Sequence, residues 1–89
     1  MFRIWGKLYK DNHLLKDSVY ENPDTEQSRT NKIFAGLHEF CMEFDLQEPI
    51  WLDKNIVEFK RVDKTRFYQD NFIEQIAFDF LEIQVIEED

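Results

Sequence analysis

The segment that most constrains this fold is the apolar C-terminal stretch, residues 72–86. From Asp79 onward its side chains alternate, with Leu81, Ile83 and Val85 on one side. A period of two residues is typical of a β-strand with one buried face. Neither Gly nor Pro interrupts the stretch, and charged residues follow it. It therefore predicts a central strand against which the earlier elements pack.

The N-terminal residues predict a β-hairpin. Residues 2–10 alternate between apolar and polar side chains, and residues 14–21 are again strand-like, with a turn signal at residues 11–12. A four-residue loop, residues 10–13, pairs Tyr9 with Leu14, and the same register sets Ile4 opposite Val19. In this register the second face of the hairpin consists of Trp5, Tyr9, Leu14 and Tyr20.

A main amphipathic helix follows the hairpin. Its apolar stripe, at helical spacing, is Ile33, Phe34, Leu37, Phe40, Cys41 and Phe44. The candidate N-caps are Asp24, Thr25, Ser28 and Thr30. The helix should end near Leu46, because Pro49 favours an extended conformation for the residue before it.

The segment after the main helix predicts a short second helix and a strand. Asp53 is placed to cap the helix, and Ile56, Phe59 and Val62 point inward at helical spacing. Residues 64–68 then predict a strand, and residues 72–76 one helical turn.

These elements predict a single domain, residues 1–89, with a small two-layer α+β fold. It contains an N-terminal β-hairpin, one main amphipathic helix, a short second helix and C-terminal strands in a mostly antiparallel sheet. One helix layer covers one sheet face. The second face of the hairpin is then partly bare unless the connector around Trp51 folds over it. Exposed aromatic patches of this kind are typical of partner surfaces.

The charge balance favours some partners over others. The chain has 11 basic and 19 acidic residues and a formal net charge of −8. Repulsion from phosphates argues against direct nucleic-acid binding, whereas a basic protein would be attracted. If the main helix and the C-terminal end lie near each other, one negative surface forms from Glu39, Glu43, Glu87, Glu88 and Asp89.

Catalytic and metal chemistry finds little support in the residues. His38 and Cys41 are three positions apart on the predicted helix, within reach of one metal ion. Two ligands do not complete a site, and a thiol in the apolar stripe is better explained as core. We expect Asp79 to pair with a basic residue such as Arg66. No catalytic residue, cofactor or metal ligand is predicted.

Compartment follows from composition. The single cysteine excludes an internal disulfide, and we find neither a signal-peptide pattern nor an apolar run long enough to span a membrane. We expect a cytoplasmic protein that does not contact membranes.

Three runs carry a resemblance: residues 2–7, residues 64–72 and residues 81–88. In these runs the chain resembles a set of short, acidic, uncharacterised bacterial proteins over nearly its whole length. The resemblance implies a bacterial or mobile-element origin, and it implies no activity.

Three functions stay open from the sequence. The first is a non-catalytic protein-binding module that acts through the acidic surface or the aromatic sheet face, with a second copy of the chain as one candidate partner. An acidic inhibitor that mimics nucleic acid, and so occupies a nucleic-acid-binding protein, is the second. The third is a small enzyme or metal-binding protein that uses Asp and Glu residues together with His38.

Overall fold

A computed structural model describes residues 1–88, and Asp89 of the predicted acidic surface lies outside the described residues. The elements in chain order are β1 (Phe2–Lys10), β2 (His13–Asn22), α1 (Arg29–Phe44), α2 (Asp53–Val62), β3 (Lys64–Phe67), a 3₁₀ turn (Gln69–Asn71) and β4 (Phe80–Glu87). The strands form one antiparallel sheet in the order β2-β1-β4-β3. The predicted α+β class is confirmed, and the C-terminal strand lies inside the sheet between β1 and β3.

The hairpin begins as predicted and then departs from the predicted register. Asp11 and Asn12 have φ angles of 52° and 65°, which matches the two-residue turn that suits a twisted hairpin, so the predicted four-residue loop is wrong. Tyr9 pairs with Leu14 as predicted, but Leu8 pairs with Lys16. One extra residue of β2 is therefore bulged at this point, and it shifts every later pair.

Because of this bulge, Tyr20 lies on a different sheet face from the predicted one. Ile4 pairs with Tyr20 rather than with Val19, so Tyr20 lies on the same sheet face as Ile4. There it packs against the core beneath α1, next to Gly36. The prediction that Tyr20 belongs to the second face with Trp5 is wrong, because one inserted residue exchanges the two faces of a strand.

Helix α1 covers the other face of β1 at close range. A Cβ atom on Gly6 would come within 2.6 Å of the Phe40 ring, and one on Gly36 within 2.9 Å of the Ile4 side chain. A side chain at position 6 would therefore displace the Phe40 ring, whereas at Gly36 the nearest atom is the flexible end of Ile4. The buried apolar core that results comprises Phe2, Ile4, Leu8, Ile33, Leu37, Phe40, Cys41, Phe44, Phe59, Phe67, Phe72, Leu81 and Ile83.

The limits of α1 follow from local chemistry. The Ser28 hydroxyl caps the helix by accepting a hydrogen bond from the Asn31 N–H at 3.1 Å. Asp45 ends it in the left-handed conformation with φ 56°, and its N–H bonds back to carbonyls of the last turn. Phe34 departs from the predicted stripe, since it is 51 % exposed.

The second helix forms as predicted, but its N-cap is Leu52 and not Asp53, and its inner face differs from the predicted one. Phe59 is buried, but Ile56 and Val62 are exposed and the buried residue on the first turn is Asn55. Asn55 donates to Thr65 Oγ1 at 2.9 Å and accepts from the Asn71 amide at 2.7 Å. This amide network fixes α2 to β3 and to the 3₁₀ turn, and fully bonded buried amides stabilise such a junction.

The connectors complete the helix side of the sheet. The Trp51 ring lies edge-on to Phe59 and Phe67, at centroid distances of 5.7 and 5.1 Å, so this connector does not cover the second sheet face. Residues 72–76 contain no helical turn, contrary to prediction. Within residues 1–88, no helix is both long and apolar enough to cross a membrane.

Candidate functional site

One face of the sheet points away from both helices. We call it the open face. Its residues, identified by strand pairing and by ring contact for Tyr68, are Arg3, Trp5, Lys7 and Tyr9 of β1; Leu14, Asp17, Val19 and Glu21 of β2; Lys64, Arg66 and Tyr68 of β3 and its end; and Phe80, Glu82, Gln84 and Glu87 of β4. Across the strands these side chains align in rows, since directly opposed residues share a face.

The first row is aromatic and apolar. Phe80 stacks on Tyr9 with a centroid distance of 5.0 Å and an interplanar angle of 26°. Tyr68 contacts the same Phe80 ring at 5.3 Å, and Leu14 pairs with Tyr9 on the other side. Because Tyr68 and Leu14 are 41 % and 45 % exposed, this row presents a continuous apolar strip to solvent.

The second row alternates in charge across the sheet: Arg66, Glu82, Lys7 and Asp17. Glu82 accepts from the Lys7 ammonium at 2.7 Å and from Arg66 Nε at 2.9 Å. Lys7 and Glu82 are only 8 % and 4 % exposed although no helix covers them. The flanking aromatic rings provide part of this shielding, since Lys7 Nζ lies 3.9 Å from the Trp5 ring and Arg66 Cζ 4.4 Å from the Phe80 ring.

The two cations determine the ionisation of Glu82. Burial by itself would raise the pKa of Glu82, but hydrogen bonds from Lys7 and Arg66 outweigh it and lower that pKa below its ordinary value. The bond to Glu82 likewise raises the pKa of Arg66. Glu82 and Arg66 therefore stay ionised at neutral pH, and the contacts of Glu82 with Lys7 and Arg66 join the strands β1, β4 and β3 on this face.

Trp5 occupies the third row, between Gln84 and Val19. Its indole Nε1 donates to Asp17 Oδ2 at 3.0 Å, which ties the ring to the edge strand β2. Trp5 is half-buried and Val19 is 47 % exposed. This row extends the apolar surface along the sheet beyond the charged row.

The open face differs in charge from the rest of the surface. Its four basic residues are Arg3, Lys7, Lys64 and Arg66, and its four acidic residues are Asp17, Glu21, Glu82 and Glu87. These charges cancel, whereas the chain as a whole has a net charge of −8. The excess negative charge lies outside the open face, so a partner on this face meets little net repulsion.

The predicted single acidic surface is not formed by its described members. Glu88 pairs with Arg29 at the start of α1, at 2.7 Å, whereas Glu43 lies near the end of that helix and accepts from Ser18 at 2.9 Å. The fourteen residue steps from Arg29 to Glu43 correspond to about 21 Å of helix. Glu39 lies one turn before Glu43, and Glu87 pairs with Arg3 at 3.0 Å. The helix pair and the C-terminal pair are therefore separate, which corrects the prediction.

Three other polar side chains that the sequence singled out are Cys41, His38 and Asp79. Burial, and then the charge of Glu48, raises the pKa of Cys41 to about 12, so the thiol stays protonated. His38 is exposed and bonds Glu48 at 3.1 Å. Asp79 accepts from the Asp11 N–H at 2.8 Å and does not pair with Arg66, which is bound to Glu82. In the described part of the chain, no three His, Cys, Asp or Glu residues form a cluster that could hold a metal ion.

Sequence reasoning placed Trp5, Lys7, Tyr9 and Leu14 on this face and missed Phe80 and Glu82 as their neighbours. The alternation of residues 79–86 already puts Phe80 and Glu82 on the side opposite Leu81. The missing information was the pairing of β4 with β1, which joins distant parts of the chain. An acidic residue in β4 and a basic residue in β1, each flanked by an aromatic residue, were the available signal.

The chain was compared with protein-family models, with curated proteins and with solved structures, and none of them matches it.

Proposed function

We propose that this chain is a non-catalytic protein-binding module and that the open face is its binding surface. The observation that carries the proposal is an uncovered sheet face whose apolar row, Tyr68, Phe80, Tyr9 and Leu14, is held beside the charged row, in which the Lys7–Glu82 ion pair is buried. Uncovered aromatic surface of this kind is enriched at protein interfaces. We further propose a cytoplasmic location, in keeping with a single, buried thiol.

Preorganisation supports binding at this face. The charged row fixes the strands beneath the rings, and ring stacking and the Trp5–Asp17 hydrogen bond restrict the side chains themselves. A partner therefore loses less conformational entropy on docking than it would against mobile side chains. Tyr and Trp are also the residue types that contribute most to binding energy.

The size of the face favours a separate partner over an obligate homodimer. Four strands about 4.8 Å apart, over the six residue steps from Arg3 to Tyr9, give a projected area of about 400 Å². A stable standard interface buries about 800 Å² on each partner, and obligate dimers bury more. We infer a transient complex with another protein.

The polarity of the face indicates how that partner is charged. The β3 edge carries Lys64 and Arg66, whereas the β2 edge carries Asp17 and Glu21. A complementary partner places apolar side chains on the aromatic row, carboxylates toward β3 and basic groups toward β2. The net-neutral face makes this recognition local, independent of the overall charge of −8.

The experiment compares two double variants of equal charge change. Leu14→Glu/Val19→Glu alters the open face at two exposed positions, and Val57→Glu/Ile73→Glu alters exposed positions elsewhere, 66 % and 79 % accessible. Proteins captured by the parent from a bacterial extract are identified, purified and titrated calorimetrically against all three chains. The open-face variant should bind at least tenfold more weakly, because two buried carboxylates lose their hydration.

The control variant should keep parental affinity within about twofold, since surface changes away from an interface have small effects. Equal loss in both variants, or a partner that binds the open-face variant normally, would contradict the proposal. Sedimentation of the parent alone distinguishes self-association: a dimer dissociated by the open-face variant would replace the separate partner by a second copy of the chain.

A further inference from the structure

A cleft opens between the two helices, in the layer on the other side of the sheet from the open face. It is lined by Arg29, Thr30, Ile33, Phe34, Trp51, Ile56, Phe59 and Lys60, and its volume is about 310 Å³. Ligand cavities start at about 300 Å³, so this one suits a compact small molecule and is too small for a protein segment with several side chains.

The walls of the cleft are mainly apolar. Ile33 and Phe59 are 5 % exposed and form its buried part, whereas Phe34 and Ile56 remain 51 % and 39 % exposed at its opening. Trp51 lies edge-on to Phe34 and Phe59, at centroid distances of 6.0 and 5.7 Å. Such a set of rings favours an aromatic or branched aliphatic ligand body.

One polar group at the cleft is available for an anionic head group. Lys60 is exposed and forms no ion pair among residues 1–88. Arg29, in contrast, is engaged by Asp63 and Glu88 at 2.8 and 2.7 Å.

We propose that the cleft binds a compact monocarboxylic acid with an aromatic or branched aliphatic body. The body packs against Phe34, Ile56 and Phe59, and the carboxylate pairs with Lys60. This single occupant balances the Lys60 ammonium while it covers the exposed apolar walls. The site is independent of the open face and of the partner proposed for it.

The test uses three probes with the same phenylbutyl body. The chain labelled with ¹⁵N is titrated with 4-phenylbutyrate, with 4-phenylbutanol and with 4-phenylbutylamine. The carboxylate should bind saturably, with a dissociation constant on the order of 0.1–1 mM for about twelve non-hydrogen atoms. It should shift the Trp51 indole N–H resonance, because the Trp51 ring lines the cleft. The Trp5 indole, already bonded to Asp17, is the internal control and should not move.

The other two probes separate apolar packing from anion recognition. The alcohol should bind about tenfold more weakly than the carboxylate, because a hydrogen bond to a charged group contributes at least that difference. The amine should show no saturation, since its charge faces Lys60. Equal affinity of alcohol and carboxylate would overturn the anionic head group, and a bound carboxylate that leaves the Trp51 resonance unmoved would overturn binding in the cleft.

Two matched pairs of variants locate the site. Lys60→Glu and Arg61→Glu change the charge of the same exposed helix surface equally, but only Lys60 lines the cleft. Lys60→Glu should weaken 4-phenylbutyrate binding at least tenfold, and Arg61→Glu less than threefold. Similarly, Ile56→Trp should block the cleft and Val57→Trp should not. Equal effects within either pair, or no saturation by any probe up to 10 mM, a limit about ten times the weakest expected constant, would overturn the proposal.

Discussion

The two faces of the sheet consist of the same strands, but their side chains are buried in different ways. On the covered face, Ile4 of β1 and Leu81 and Ile83 of β4 are 0 % exposed beneath α1 and its neighbours. On the open face, Lys7 and Glu82 of the same strands reach 8 % and 4 % without a covering layer. Burial on the covered face comes from a second layer, whereas on the open face it comes from neighbouring side chains in the same layer.

The difference has a consequence for function. The covered face has little apolar surface left for a partner, because that surface is already removed from water. The open face is ordered by the charged row and by ring stacking, and yet it leaves Leu14, Val19 and Tyr68 nearly half exposed. A surface that is rigid and still exposes apolar side chains is suited to binding a partner, which is why the proposed function is assigned to this face.

The largest effect should come from the covered face. Phe40 is 1 % exposed and lies directly on Gly6, so Phe40→Ala leaves a cavity over β1. We expect a loss of about 3–5 kcal/mol in the free energy of unfolding, measured by urea titration. For a domain of this size that loss is comparable to the whole stability.

A second variant tests the contact itself. Gly6→Ala places a Cβ 2.6 Å from the Phe40 ring and should cost about 1–3 kcal/mol by overpacking. In the double variant with Phe40→Ala the two costs should not add, because the smaller side chain leaves room for the new methyl group. A Phe40→Ala variant that unfolds at the parental urea concentration would contradict the packing described for this face.

A change in the charged row should have the next largest effect on the free energy of unfolding. Glu82→Gln removes the charge that joins Lys7 and Arg66 and leaves the buried Lys7 ammonium without its counter-ion. We expect a loss of about 3 kcal/mol at pH 7, as for other buried pairs broken on one side. Glu21→Gln is the matched control, since its pair with Arg3 at 3.0 Å is exposed and should contribute less than about 1 kcal/mol.

The pH dependence of the same pair of proteins checks the cause. Because the pKa of Glu82 is lowered in the folded chain, its carboxylate contributes stability that is complete above the ordinary value of 4.5 and is lost as pH falls below it. The difference between parent and Glu82→Gln should therefore shrink as the urea titrations are repeated at lower pH. A difference that stays constant through this range would mean that Glu82 acts by shape and not by charge.

Local pattern was enough to predict the covered face. The helical stripe around Phe40 and the alternation of residues 79–86 each lie within one element, so period alone identifies them. Ser28 was among the predicted N-caps, because its chemistry is local too. Phe34 was the exception in the stripe, since it lies at the edge of the cleft and not over the sheet.

The open face required information that a single element does not contain. Its rows depend on a bulge in β2 and on the pairing of β1 with β4, both of which are set by contacts distant along the chain. One inserted residue was enough to move Tyr20 to the covered side. The inward Asn55 was missed for a related reason, because its partners Thr65 and Asn71 belong to other elements.

A single conservative substitution, placed once on each face, should give the smallest differences in stability. Val19 is 47 % exposed on the open face, whereas Val85 packs against the core on the covered face. Threonine keeps the shape and strand preference of valine and replaces one methyl group by a hydroxyl. Val19→Thr should change the free energy of unfolding by less than about 0.5 kcal/mol, whereas Val85→Thr should cost about 1–3 kcal/mol for a hydroxyl without a partner. Urea titrations of both variants at low protein concentration provide the measurement. Equal costs would mean that Val19 is also covered in solution, and sedimentation of the parent would then identify a second copy of the chain as the cover.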